Sequence, residues 1–174
     1  MPKEIEDRYL VFVPPSLSGL TPAKIVQGYL SGVKGPTVRV RKVNDDQGFL
    51  TIKGKKTGNS APEFEYPIPV ADAEELLLQC DDVILTKDRY EVTGADGHVW
   101  ELDIFTGRHA GLGIAEIELP DHKTRYQKPA WLGPEITQDK RLSNSSLART
   151  GVKEIMKWVA DYRPKAKGPS GPAP

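Results

Sequence analysis

Charged residues recur two positions apart along runs of β-prone sequence, and this alternation restricts the folds open to the chain more than any other feature. Side chains two apart on a strand point to the same side of the sheet. Glu4, Glu6 and Arg8 therefore share one face of a strand over residues 4–12, which Pro14-Pro15 closes because proline cannot continue a ladder. Arg39 and Arg41 alternate with Val38 and Val40 in a strand over 37–43, and Lys53 faces away from Ile52 in a strand over 49–55. The segment Asn44-Asp45-Asp46-Gln47-Gly48 between those two is a hairpin signal. Glu63 and Glu65 alternate with Phe64 and Tyr66 over 63–68; Lys87, Arg89 and Glu91 share a face of 84–93. Across the turn Gly94-Ala95-Asp96-Gly97, Glu101 and Asp103 flank Leu102 in 98–106, and Glu116 and Glu118 flank Ile117 in 114–119.

One such strand is the wet face of an ordinary half-exposed sheet. Seven in succession are not. Solvent faces mix in Ser, Thr, Gln and Asn, whereas nearly every position here is fully charged and the opposite faces are apolar enough to need cover. The fold predicted is α+β: a closed antiparallel β-barrel with a charged interior, flanked by helices. Closure removes the sheet edges. Four helical stretches supply the cover. Thr21-Pro22 reads as an N-cap and first-turn proline opening a helix to about Leu30, ending near Gly32. Residues 71–80, with Leu76, Leu77 and Leu78, form a second helix, and 144–148 a short third. Val152, Ile155, Met156 and Val159 have the spacing of one helical face.

An interior this charged is prohibitive unless it is wet or its charges meet a ligand. Carboxylate oxygens suit hard cations such as Mg²⁺ or Mn²⁺. Arginine forks and lysine ammonium groups suit phosphate oxygens. Both kinds in one cavity point to metal-assisted phosphoryl chemistry.

Composition narrows the partners. Net charge is zero, from 24 basic and 24 acidic residues, so no bulk basic field recruits nucleic acid. No run approaches the roughly 20 apolar residues that span a bilayer, so no membrane is expected. The acidic N-terminus lacks the apolar core of a secretory signal, and one cysteine, Cys80, fits a reducing cytoplasm. Cys80 is expected as a buried helix residue. His98, His109 and His122 lie beside turns or in a loop and are expected at the surface rather than as ligands. One domain is predicted over residues 1–163, followed by a disordered Pro/Gly/Lys-rich tail over 164–174.

The order of motifs resembles a known family. Glu4-Ile5-Glu6-Asp7-Arg8-Tyr9-Leu10-Val11 is similar to the N-terminal ExExK signature of the CYTH domain, which defines the triphosphate tunnel metalloenzymes. The likeness runs on through Gln27-Gly28-Tyr29-Leu30, Thr37-Val38-Arg39-Val40-Arg41, Leu50-Thr51-Ile52-Lys53-Gly54 and Glu63-Phe64-Glu65-Tyr66. It continues through Arg89-Tyr90, Trp100-Glu101-Leu102-Asp103-Ile104-Phe105 and Ala115-Glu116-Ile117-Glu118-Leu119, and closes with Trp131-Leu132-Gly133 and Asn144-Ser145-Ser146-Leu147.

This resemblance implies an eight-stranded tunnel and a compact bacterial tripolyphosphatase-like enzyme. The metal side it implies is Glu4, Glu6, Asp103, Glu116 and Glu118, holding two ions of Mg²⁺ or Mn²⁺. Arg8, Arg39, Arg41, Lys53, Lys87 and Arg89 form the implied cradle for a small-molecule triphosphate. Arg8, Tyr29, Glu63 and Glu65 are the implied catalytic groups, the two glutamates orienting a second metal and its water. The implied reaction is in-line attack of water on the terminal phosphoryl group of inorganic tripolyphosphate. Two other activities stay open at this point: a class IV-type adenylate cyclase and a non-catalytic polyphosphate-binding module. A homodimer is an allowed assembly. One departure stands out, because the family motif ends in lysine and this chain has Arg8. An arginine binds phosphate but does not act as a base.

Overall fold

The structure is a computed structural model that describes residues 3–30 and 35–164. The predicted tail beyond Pro164 and the expected helix end at Gly32 lie outside the described residues. Eight strands close into one barrel among the described residues. They are β1 (Lys3–Leu10), β2 (Ala23–Tyr29), β3 (Thr37–Val43), β4 (Gln47–Lys53), β5 (Ser60–Ile68), β6 (Leu85–Thr93), β7 (Val99–Phe105) and β8 (Gly113–Glu118). Their order around the barrel is β1-β5-β4-β3-β2-β6-β7-β8, every neighbouring pair antiparallel. Three α-helices follow the sequence: α1 (Val70–Leu77), α2 (Asn144–Arg149) and α3 (Val152–Asp161). No helix among the described residues is long and apolar enough to cross a membrane.

β1 is the stave that closes the barrel. Its first half pairs with β5, Ile5 opposite Ser60, and its second half with β8, from Glu6 opposite Glu118 to Leu10 opposite Ile114. Hairpins join the other neighbours except β2 and β6, which pair although β3, β4, β5 and α1 separate them in the chain. Asn44 takes a left-handed φ of 51°, which its short polar side chain tolerates, and its Oδ1 accepts from the Lys24 amide at 3.0 Å. The turn between β3 and β4 is thereby tied to β2.

The helix predicted from Thr21 to Leu30 is the strand β2, and this is the main correction to the sequence reading. Thr21-Pro22 merely precedes the strand, where a proline breaks no ladder bond. Ile25, Gln27, Gly28 and Tyr29 are all buried, so the strand shows no clean polar-apolar alternation. Gly28 explains part of this: a Cβ there would sit 2.6 Å from Cys80 Sγ and 2.7 Å from Ile84 Cδ1. The outer side of β2 is covered by the α1–β6 connection while its inner side faces the barrel, and a strand buried on both faces loses its period-two signature.

Two apolar clusters hold the barrel. Outside the β1, β8 and β7 wall, Ile5, Tyr9, Trp100, Leu102 and Ile117 pack under the loop that carries Tyr126, Trp131 and Leu132. Trp100 meets Tyr126 and Trp131 edge-on, with centroids 5.4 and 6.0 Å apart. This wall was expected to be clad by helices, but a loop clads it. The second cluster plugs one end. There the inward positions change from charged to apolar, with Leu10 beyond Arg8, Leu85 beyond Lys87, Phe105 beyond Asp103 and Ile114 beyond Glu116. Leu142, Leu147, Ile155 and Val159 of the C-terminal segment fill that end. The amphipathic spacing of α3 therefore serves as a stopper, with Ile155 and Val159 as its buried face.

Two smaller expectations fail. Cys80 is half-buried and lies just past α1, not within a helix. His109 is 1% exposed, not at the surface: its Nε2 lies 3.1 Å from the Leu147 carbonyl and its ring packs on Phe105. His98 lies beside Asp96, at 3.0 Å, and His122 is exposed, neither of them near the barrel interior.

Candidate active site

The charged faces predicted from alternation converge. A cavity of about 930 Å³ opens into the barrel, lined by Glu4, Glu6 and Arg8 of β1, Arg39 and Arg41 of β3, and Lys53 of β4. Glu63 and Glu65 of β5, Arg89, Glu101, Glu116 and Glu118 complete the wall, and Tyr29 reaches in from β2. Register explains the convergence: Lys53 stands opposite Glu63, Arg89 opposite Asp103, Glu101 opposite Glu116 and Glu116 opposite Arg8.

The charges sort into three groups. Around Lys53 gather Glu4, Glu6 at 3.6 Å and Glu63 at 3.3 Å, with Lys56 also 3.2 Å from Glu6. Burial opposes the charge on Lys53, but Glu6, Glu4 and Glu63 outweigh it and raise its pKa. Burial also raises the Glu4 carboxyl, with Lys53 pulling down and Glu63 pushing up. Glu118 is raised by burial and then by Glu4 and Glu6.

The second group is deeper. Arg89 bonds Asp103 through Nε at 2.6 Å and Nη2 at 2.8 Å, and also reaches Glu101 and Glu116. Arg8 is 5% exposed; its Nε donates to Glu116 at 2.8 Å and its Nη1 to the Leu142 carbonyl at 3.1 Å. Lys87 pairs with Asp103, both almost fully buried. Burial works against both of these carboxylates, yet Lys87 and Arg89 hold Asp103 below its ordinary range, and Arg8 and Arg89 hold Glu116 far below it. The two partners of the Lys87–Asp103 pair shift in the same direction. Burial and the neighbouring Arg89 charge push Lys87 down to about 8, so Arg89 is the firmer counter-ion of Asp103.

The third group binds Arg39 and Arg41 to Glu65 at 3.3 and 2.8 Å, with Thr51 donating to the same Glu65 oxygen at 2.8 Å and accepting from Arg39 at 3.1 Å. Three guanidinium nitrogens remain buried with no partner among the described residues: Arg8 Nη2, Arg39 Nε and Arg41 Nε.

Of the side chains predicted for the site, Lys87 and Asp103 do not line the cavity; they form the buried pair behind it. Glu91, expected on the same inner face as Arg89, is exposed and borders a separate depression with Leu20 and Thr21. Sequence reasoning missed Thr51, Gln27 and the C-terminal residues Thr137, Asp139, Lys140 and Ser143. Thr51 was findable, because it shares a strand face with Lys53. The C-terminal residues carry no alternation and reach the cavity only through the plug.

The donor set fits a hard divalent cation. Glu4, Glu6 and Glu118 present carboxylate oxygens of the kind such an ion takes, and burial, then the Glu4 and Glu6 charges, raise the Glu118 carboxyl, a cost that a cation would relieve. No three acidic, His or Cys side chains among the described residues already form a metal cage, because Lys53 stands between them.

A closed barrel whose interior pairs a carboxylate wall with unpartnered arginine donors is a protein built to enclose a polyanion together with its cation. The chain matches the CYTH domain over residues 4–151, and it belongs to that family. It is 43% identical over 156 residues to an inorganic triphosphatase of Acetivibrio thermocellus, covering 89% of this chain and 99% of that protein. It is 34% identical over 150 residues to an inorganic triphosphatase of Nitrosomonas europaea, covering 83% of this chain and 96% of the relative. A solved inorganic triphosphatase structure superimposes with a TM-score of 0.64 at 31% identity, covering 86% of this chain and 97% of the other.

Proposed function

We propose that this protein is a divalent-metal-dependent triphosphatase that hydrolyses inorganic tripolyphosphate to pyrophosphate and orthophosphate in the cytoplasm. The observation that carries the reading is the set of buried, unpartnered donors on Arg8, Arg39 and Arg41. A buried donor left unpaired costs about 1–3 kcal/mol, and an anion with many oxygens satisfies all three. The named relatives support the same reading at high coverage.

Glu4, Glu6 and Glu118 would hold Mg²⁺ or Mn²⁺; Asp103 and Glu116 are occupied by Arg89, Lys87 and Arg8. Bound there, a divalent ion supplies charge neutralisation at phosphate oxygens and a lowered pKa for nearby water. The chain's own groups do the rest. Arg39 and Arg41, fixed by Glu65 and Thr51, donate to phosphate oxygens and keep the chain of phosphates in line. Lys53 and Arg8 neutralise charge that develops on the leaving pyrophosphate oxygen. Glu63, bound less tightly than Glu65, takes the proton of the attacking water at a carboxylate oxygen. Burial raises the Tyr29 phenol to about 12, so at neutral pH it is a hydroxyl donor and not a base. Arg8 is likewise no base, and proton transfer falls to the carboxylates.

Among the described residues lining the cavity Tyr29 is the one aromatic, and these residues offer no stacking platform for a nucleobase. This favours inorganic substrate over a cyclase reaction. Phosphate release measured with tripolyphosphate, thiamine triphosphate and ATP, each with Mg²⁺ or Mn²⁺, tests the reading. Preference for tripolyphosphate without cyclic AMP supports it; tight binding of tripolyphosphate without turnover identifies a binding module instead.

A further inference from the structure

Gln27 is completely buried, is not part of the cavity lining, and has no place in the chemistry above. It sits on the inner face of β2, two residues from Tyr29 and opposite Arg41. Its Nε2 donates to the Tyr29 hydroxyl oxygen at 3.1 Å, while its own Oε1 has no partner among the described residues. A glutamine held dry with one end unsatisfied lowers stability. Something other than packing explains its use.

A phenol has one proton and two lone pairs. Gln27 occupies a lone pair, and no acceptor for the Tyr29 proton exists among the described residues. Tyr29 lines the cavity beside Arg8 and Arg39, where phosphate oxygens are the missing acceptors. We propose that Gln27 is a positioning residue: its amide N–H fixes the polarity of the Tyr29 hydroxyl so that the phenol proton is aimed at a phosphate oxygen of the triphosphate. The inference rests on the triphosphate reading of the cavity, but not on turnover.

A double-mutant cycle tests it, with an imidotriphosphate in which both P–O–P bridges are replaced by P–NH–P, a tripolyphosphate analogue resistant to hydrolysis, titrated calorimetrically in the presence of Mg²⁺. A hydrogen bond to a charged acceptor implies roughly a 10-fold or larger weakening for Tyr29→Phe. Gln27→Met is expected to weaken binding roughly 3- to 10-fold in the native background and to change nothing in the Tyr29→Phe background. Additive losses, or native affinity in Gln27→Met, overturn the proposal. Because the readout is binding, it is decided even if tripolyphosphate proves not to be turned over. Should Gln27→Met fail to fold, the native protein labelled with ¹³Cζ-tyrosine gives the answer. The Tyr29 resonance, identified by its loss in Tyr29→Phe, must shift when imidotriphosphate binds, and an unmoved signal overturns the assignment.

Discussion

The carboxylates gathered around Lys53 differ from those gathered around Arg89 in charge balance and in access to water. At Lys53, Glu4, Glu6 and Glu63 meet the Lys53 and Lys56 ammonium groups, with Glu118 close by and the Lys53 side chain 26% exposed. At Arg89, three cations (Arg8, Lys87 and Arg89) meet Asp103, Glu116 and Glu101, and Asp103 and Lys87 are 1% exposed. The first cluster has surplus negative charge that water and a cation can reach. The second is nearly neutral and dry. One barrel wall is left incomplete so that a ligand finishes it, and the opposite wall is finished in advance so that the arginines stay in place.

The sharpest way to break this contrast is to unbalance the dry cluster. Asp103→Asn leaves Lys87 and Arg89 buried without their carboxylate, and removing one partner of a buried ion pair costs about 3–5 kcal/mol. Scanning calorimetry is expected to show melting lowered by roughly 10 °C. A shift within experimental error would mean that the deep network is not structural. The matching change in the wet cluster, Glu6→Gln, should leave melting nearly unchanged. It should cut kcat/KM on tripolyphosphate by on the order of 100-fold, and full turnover in that variant would remove Glu6 from the metal side.

Metal sharpens the comparison further. Mg²⁺ at 100 times its dissociation constant should stabilise the native protein by about 2.7 kcal/mol, read from urea midpoints with and without chelator. Lys53→Met should tighten Mg²⁺ binding, because the lysine and the ion compete for the same oxygens; weaker binding in that variant would show that Lys53 does not stand in for the cation.

Acid gives the smallest effect, with one sign for Asp103 and Glu116 and the opposite sign for Glu4 and Glu118. Asp103 and Glu116 have depressed folded-state pKa values. Their contribution is complete above the ordinary carboxylate pKa of about 4 and is lost as pH falls below it. Glu4 and Glu118 are raised, so the folded state takes up protons first and their strain is relieved as pH falls from neutral toward about 4. Urea midpoints should stay level or rise slightly from pH 7 to 5 and drop steeply below pH 4. Glu118→Gln should remove part of the shallow rise, an effect under about 1 kcal/mol.

Much of this was written in the alternation. Six of the eight strands announce themselves by charges two apart and β4 by Lys53 alone, and the facing of Glu4, Arg39, Lys53, Glu65 and Glu118 follows from strand alternation. β2 did not announce itself, because Ile25, Val26 and Tyr29 under a Thr-Pro start imitate a helix when both faces of a strand are buried. Bottom-up reading therefore left out a strand whose presence only the family resemblance implied, and Gln27 was overlooked with it. Depth was also illegible. Facing tells which residues look inward, but register and barrel stagger decide that Asp103 ends beside Lys87 in the dry layer while Glu118 stays near the mouth. His109 escaped for a similar reason: a three-residue 3-10 turn beside the plug buried a residue whose neighbours look like surface loop.

The closing stave has a consequence for how the molecule comes into being. Glu4 and Glu6 are made before every other strand of the barrel, yet β1 has no complete set of partners until Ser60 and then Glu118 have been made. Such distant pairings delay folding, because the entropy of a long loop must be given up before any contact rewards it. A nascent chain halted before β8 therefore lacks the strand that closes the barrel on β1, and with it Glu116 and Glu118. Closing the barrel and finishing the lining of its chamber are thus one step.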